Sequence, residues 1–178
     1  MGCINAATLA GVTFDCSDIP VGGLKKIYLT HRADVASTVV DGAVTVATIA
    51  LTKSVELEFN NKDAFTNFNE SMTSTADGIV NNVPTIVVEF PKMSVAKRNE
   101  LNALVSGAGI ELVAWVETAA GTKHAVGLDF GLYASLAMGQ SGTGRSDKNV
   151  YQLTLVGEES YLSYDASAVW DDVVASLA

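Results

Sequence analysis

Residues Ile110 to Glu159 read I-E-L-V-A-W-V-E-T-A-A-G-T-K-H-A-V-G-L-D-F-G-L-Y-A-S-L-A-M-G-Q-S-G-T-G-R-S-D-K-N-V-Y-Q-L-T-L-V-G-E-E. Ile110, Leu112, Ala114 and Val116 share one face of an extended chain, while Glu111, Val113, Trp115 and Glu117 share the other, the period of a half-buried strand. Ala119-Ala120-Gly121-Thr122 is a turn, in which Gly121 supplies a positive φ. His124, Val126, Leu128 and Phe130 resume the alternation. A bridge of small residues leads to a third strand with Tyr151, Leu153 and Leu155 on one face and Val150, Gln152, Thr154 and Val156 on the other. Three strands are enough to seed a sheet.

Within the bridge, Gly139 to Ser146 has the spacing of a phosphate-binding loop, with Arg145 in place of the lysine. Such a loop must open a helix, whose free N–H groups hold the phosphates. Asn149 to Gly157 alternates as a strand, so a flexible inter-strand loop is expected instead.

The chain of 178 residues fits one domain, 1–178, with a sizeable core. Hydrophobic residues make up 48% and mean hydropathy is +0.27, which excludes disorder for its body. No apolar run approaches the length of a membrane span, and no basic region followed by an apolar core opens the sequence; a soluble protein made in a cytoplasm is expected. Twenty acidic against eleven basic residues give a net charge of −9, which disfavours specific DNA or RNA binding. Cys3 and Cys16 cannot form a zinc site unaided, with the two histidines distant at His31 and His124, and free thiols are expected. Gly2 and Cys3 imitate an acylation signal, but Ala6 stands where Ser or Thr is needed.

Residues 1–23 form an arm broken by Gly11, Pro20, Gly22 and Gly23 before a first strand, Leu24 to Thr30. Asp41-Gly42 marks a turn and Ala43 to Leu51 a second strand. Val55, Leu57 and Phe59 alternate with Glu56, Glu58 and Asn60 in a third, whose acidic face should be wet. The polar stretch Asn60 to Val83 is either a long excursion or a strand near Phe65 to Thr75 returning through Asp77-Gly78; contact with another subunit and a plain surface hairpin are both open. Pro84 to Phe90 is a further strand. Ser94 caps a helix over Val95 to Ser106, with Leu101, Leu104 and Val105 as its apolar stripe and Gly107 as its stop. At the end of the chain, in the segment 165–178, an amphipathic helix places Val169, Trp170, Val173, Val174 and Leu177 on one face. It must dock on its own domain or on a neighbouring subunit.

No catalytic constellation emerges. The histidines lie in strand-like segments, His124 reads as a core or rim residue, and Ser141 misses a nucleophile elbow because Thr143 stands where Gly is required. Adjacent acids such as Glu158-Glu159 point to opposite faces of a strand. A non-enzyme without cofactor or metal is expected.

The order of parts resembles the major tail tube proteins of tailed bacteriophages: a polar hairpin with Asp77-Gly78, a strand with Val87 and Phe90, a helix ending near Leu104, then L-V-A-W-V-E-T-A-A-G-T. Gly127 and Gly131 in G-L-D-F-G, followed by S-G-T-G-R-S-D-K-N-V-Y-Q-L-T-L-V-G-E-E, resemble the late segment of that family. The resemblance covers Leu24 to Tyr164 and leaves the N-terminal arm and the tail unmatched. It implies a mainly β fold, a β-sandwich or partly rolled barrel with one flanking helix, assembled into hexameric rings that stack into a tube for genome delivery. It also implies a virion location, in the tail, after synthesis in the host cytoplasm. The implied partners are further copies of the chain and other phage tail proteins, with DNA as passing cargo that is not specifically bound. On this reading Glu56 and Glu58 are lumen candidates, and Phe65, Phe68, Met72, Ile79, Val169, Trp170, Val173 and Leu177 are candidate subunit contacts. The alternatives are a capsid decoration or head-tail connector protein, and a β-sandwich ligand-binding module with Trp115, Tyr133 and Tyr151 as stacking residues.

Overall fold

The computed structural model describes residues 22–177 apart from 40–44, 52–53, 60–65, 75, 79, 108 and 143–146. Expectations for Cys3, Cys16, the arm up to residue 21, Asp41-Gly42, Phe65, Ile79 and Arg145 therefore lie outside the described residues. The strands are β1 (Leu24–His31), β2 (Val35–Val39), β3 (Val46–Leu51), β4 (Val55–Glu56), β5 (Asn67–Ser74), β6 (Val80–Pro91), β7 (Leu112–Thr118), β8 (Lys123–Val126), β9 (Leu132–Gln140), β10 (Val150–Gly157) and β11 (Tyr164–Asp165). Helix α1 spans Val95–Ser106 and α2 Trp170–Ala175. The fold is mainly β and sandwich-like, with antiparallel strands and two short helices, as the sequence indicated.

One nine-stranded sheet runs β11-β8-β7-β9-β10-β6-β5, with β1 on the other edge of β7 and β4 outside β1; β2 and β3 form a separate hairpin. The corner between its halves lies where β8 gives way to β9, both of them partners of β7: Ala114 pairs with Val126, and Leu112 with Leu132. Gly127 makes this corner possible, because its φ is 88° and a Cβ there would lie 2.7 Å from the carbonyl oxygen of Leu112.

Two cores follow from the two faces of β1 and β7. Ile27, Leu29, Leu112, Ala114 and Val116 point inward to meet Ile86, Val88 and Phe90 of β6 and Leu153 and Leu155 of β10. Tyr28, Val113 and Trp115 point the other way, onto Val46 of β3 and onto Val169, Trp170 and Val173. Strand β7 is thus buried on both faces, not on one, and its alternation of Leu112, Ala114 and Val116 with Val113 and Trp115 separates two cores. Trp115 donates its indole N–H to Thr30 Oγ1 at 3.3 Å, which satisfies the buried polar atom.

Helix α1 begins where expected: the Ser94 hydroxyl accepts from the Lys97 amide at 3.3 Å, and Gly107 closes the last turn with its N–H to Ala103. Leu101 is buried and Leu104 half-buried against the first core, worth about 1.5–3 kcal/mol for a fully buried leucine. Val105, expected on the same stripe, is exposed. Among the described residues no helix is long and apolar enough to cross a membrane.

Candidate functional site

Strand β9 has no counterpart in the sequence reading, which treated Leu132 to Gln140 as part of a small-residue bridge. A bulge conceals it: Leu155 pairs with Ala134 but Thr154 with Leu136, so Ser135 is an extra residue and the alternation shifts phase there. Ala134 and Ala137 pack on the first core, while Tyr133, Leu136 and Met138 point outward and are exposed. Across the pairings they stand beside Val156, Thr154 and Gln152 of β10, then Thr85, Val87 and Glu89 of β6, then Asn69 and Asn67 of β5. Glu89 is the one acid in this group; it is buried, with the Lys148 ammonium 3.3 Å away. A chain of net charge −9 thus presents one sheet face whose exposed side chains are apolar or neutral, and none of the described elements packs against it.

The four strands β9-β10-β6-β5 end in two edges. Among the described residues strand β5 pairs only with β6, and β9 meets β7 at Leu132 alone. Three antiparallel pairings separate β5 from β9, so the two edge strands run in opposite directions. The β5–β6 hairpin turns through Asp77-Gly78, where Gly78 has a φ of 79°. Met72 and Val80 are exposed near its end, past the last residues that touch the core.

On the opposite flank, β5 faces β8 and β11 across a seam of side chains. Glu70 accepts from the Ser163 amide at 2.6 Å, from the Ser163 hydroxyl at 2.9 Å and from the Asn82 amide group at 3.1 Å. His124 Nδ1 lies 3.0 Å from the Ser163 hydroxyl, His124 Nε2 lies 3.0 Å from Thr122 Oγ1, and Phe68 tilts against the imidazole. A serine, a histidine and a glutamate are thus brought together, which the sequence reading did not foresee because they are 39 and 93 residues apart. The wiring is not that of a nucleophile triad, where the acid faces the imidazole and the imidazole takes the hydroxyl proton. Here the hydroxyl donates to the carboxylate directly, and the imidazole faces the hydroxyl without touching the acid. The group ties the inward-facing side chains of β5 to the β8–β11 end of the sheet.

An acidic pair, Asp129 and Glu159, adjoins the seam. Glu159 is buried and accepts from the amides of Asp129 at 3.1 Å and Phe130 at 3.5 Å. Burial pushes its carboxyl up to about 7, outweighing the two amide donors, and the nearby Asp129 charge acts in the same direction as burial. Tyr164 donates to both Asp129 oxygens; burial first and then that hydrogen bond raise its phenol above the ordinary tyrosine range. Among the described residues no cluster of three or more His, Cys, Asp or Glu could hold a metal ion.

The residues singled out in the sequence are scattered. Val169, Trp170 and Val173 are buried in the second core, docked on this chain's own sheet, while Leu177 is exposed. Phe68 is half-buried against the first core, which leaves Met72 as the open member of the hairpin pair. Glu56 and Glu58 are exposed, on β4 and just beyond it, outside β1 and off the uncovered face; Glu56 pairs with Lys26 at 3.7 Å. Of the three conceived stacking residues, Trp115 is fully buried, Tyr151 is half-buried against the core and Tyr133 alone is exposed, so they form no platform. Comparison of the chain with family models, with curated proteins and with solved structures finds no match.

Proposed function

We propose that this chain is a self-assembling structural protein, the subunit of a phage tail tube, whose copies close into rings through the edges of β5 and β9 and stack into a conduit for DNA. The observation that carries the reading is the uncovered four-stranded face with its two oppositely directed edges. An edge strand with unpaired backbone groups is a template for another chain. Laid beside β9 of the next copy, β5 continues the antiparallel alternation, and because the two edges differ the contact is heterologous and closes by rotation. A hexameric ring is the stoichiometry the tail tube resemblance implies.

The uncovered face, and not Glu56 and Glu58, turns to the axis in this reading. Its Asn, Gln and Thr side chains are uncharged, the Lys148 ammonium at its end is paired with Glu89, and the overall charge of −9 adds long-range repulsion. The exposed β5–β6 hairpin is the element long enough to reach a stacked ring. Partners are other copies and other tail proteins, with DNA as cargo, and the location is the virion tail after synthesis in the host cytoplasm. No cofactor is needed.

Negative-stain microscopy with light scattering across a concentration series tests this, together with hydrogen exchange of the β9 amides before and after assembly. Hollow rings or tubes of uniform diameter, with Tyr133 to Gln140 gaining protection, are expected. A chain that stays monomeric at every concentration and in the presence of tail components, with β9 amides unchanged, removes the tube. Saturation of capsid surfaces without tubes would point to a decoration or connector protein.

A further inference from the structure

A second edge of the sheet lies far from the first. Glu56 sits opposite Tyr28 and Val55 opposite Leu29, and the Leu57 amide donates to the Ile27 carbonyl at 2.9 Å. Antiparallel pairing alternates, so the backbone groups of Val55 and Leu57 face β1 and those of Glu56 and Glu58 face away. That outward edge already accepts a strand one step upstream, where the Ser54 amide donates to the Ser176 carbonyl at 3.1 Å and Ser54 bridges Leu177 in parallel. Beyond Ser54, no strand among the described residues takes it.

The side chains along this edge are sorted by face. Leu57 and Phe59 pack toward the first core, and between this segment and α1 runs a groove of about 240 Å³ lined by Val55, Leu57, Phe90, Leu101 and Leu104. Glu56 and Glu58 alternate with those apolar positions along the chain, and with Lys97 and Glu100 of α1 they line the same groove. The cations nearby are committed: Lys97 donates to the Pro91 carbonyl at 2.7 Å, and Lys26 lies between Tyr28 at 3.1 Å and Glu56 at 3.7 Å.

We propose that the outward edge of residues 55–59 binds an extended segment of a partner protein in which apolar and basic residues alternate. A strand added here places every second side chain beside Val55 and Leu57, against Leu101 and Leu104, and the intervening ones beside Glu56 and Glu58. Backbone hydrogen bonds supply part of the affinity, and the period of two supplies the selectivity. Residues 1–21 of the sequence carry Asp15 and Asp18 and no lysine or arginine, so they lack the basic positions of such a segment. The inference stands apart from the tube reading, whose edges are β5 and β9.

Fluorescence anisotropy of labelled synthetic peptides against the full chain tests it, with hydrogen exchange at Glu56 and Glu58. A peptide of alternating Val and Lys is expected to bind saturably and to protect those two amides. A Val/Glu peptide, and a peptide of the same composition with its valines and lysines in separate blocks, should bind at least about tenfold more weakly. The double variant Glu56→Gln plus Glu58→Gln changes exposed side chains only and should weaken the alternating peptide about tenfold or more. Equal binding of the blocked peptide reduces the effect to attraction by a net-negative protein and overturns the proposal. So does binding weaker than about 1 mM, or binding without protection at the edge. A dimer of the free chain that the double variant dissolves would assign the edge to a second copy and overturn it as well.

Discussion

The two halves of the sheet differ in what lies on their backs. In β1, β7 and β8 both faces are covered: Ile27, Leu29, Ala114 and Val116 on one, Tyr28, Val113 and Trp115 on the other. In β9, β10, β6 and β5 the described elements cover only the inward face, and the outward one carries Tyr133, Leu136, Met138, Thr154, Val87 and Asn69, with Glu89 alone among them buried, beside Lys148. The first half holds the chain together and the second is available for something else. A strand between two cores can lose neither set of side chains, whereas a strand with one free face can vary that face without cost to the monomer.

The contrast is broken most directly at Trp170, whose ring meets Tyr28 edge-on at 5.6 Å and lies under the Lys123 ammonium at 5.4 Å. Trp170→Ala should cost about 3–5 kcal/mol, measured by urea unfolding, because it empties the layer that covers the second face of β7. A loss under about 1 kcal/mol would mean that α2 is a detachable arm, and the two halves would then be equivalent.

Glu159, beneath the loop that joins the halves, gives the next effect. Its carboxyl binds protons more tightly in the folded chain, at about 7 against 4.5 for the free group. The folded state therefore holds the extra proton between those values, so the stability this group contributes is full below pH 4.5 and is lost as pH rises through 7. The full loss is about 3 kcal/mol. Asp165 is shifted the other way, below its ordinary value, by the Ser167 hydroxyl and then the Ser167 amide. Its contribution appears above the ordinary aspartate range and is lost on further acidification, outside the Glu159 window. Glu159→Gln should flatten the fall between pH 4.5 and 7 and stabilise the chain at pH 8; an unchanged profile would show that the carboxyl is not buried as described.

Glu70→Ala tests the seam. It removes the acceptor of three hydrogen bonds and frees the Ser163 amide and hydroxyl and the Asn82 amide group, for an expected cost of about 2 kcal/mol. Hydrogen exchange should rise in β5 and β11 while β7 stays protected. Glu58→Ala, an exposed acid, should stay within about 0.5 kcal/mol.

How much of this was legible depended on whether the signal was local. Leu112 to Thr118, the Gly121 turn, the Ser94 cap and the strand over Val150 to Val156 were readable, because each is fixed by spacing within a few residues. Strand β9 was not, because Ser135 shifts the phase of its alternation and Gly139 resembles a loop residue. The second core was half readable: the apolar face of Val169, Trp170 and Val173 was plain, but its partner could be named only once Val46 and Trp115 were placed beside it. The uncovered face had no sequence signal of its own, since an outward Val or Leu looks the same as an inward one until the far side is known to be bare. The Ser163, His124 and Glu70 cluster, assembled from three distant segments, is invisible to any pattern of short range.

The smallest effect on the monomer is the sharpest test of the uncovered half. Leu136 and Met138 are exposed and touch no second layer, so Leu136→Lys plus Met138→Lys should change unfolding free energy by no more than about 0.5 kcal/mol per site. Neither alters the backbone edge of β9, so rings should form as before. If this face turns to the axis of a tube, each ring then carries a circle of lysines where DNA passes, and phosphates released from their counterions should slow the transit. Delivery of the genome from assembled particles should fall at low salt and recover as salt rises, because the added attraction is screened over about 10 Å at 0.1 M. Unchanged delivery at every salt concentration would turn the face away from the axis, and the bare half of the sheet would then be a surface between tubes and their surroundings. Loss of rings in the same variant would place Leu136 and Met138 within the subunit contact itself, and the edge of β9 would have to be redrawn around them.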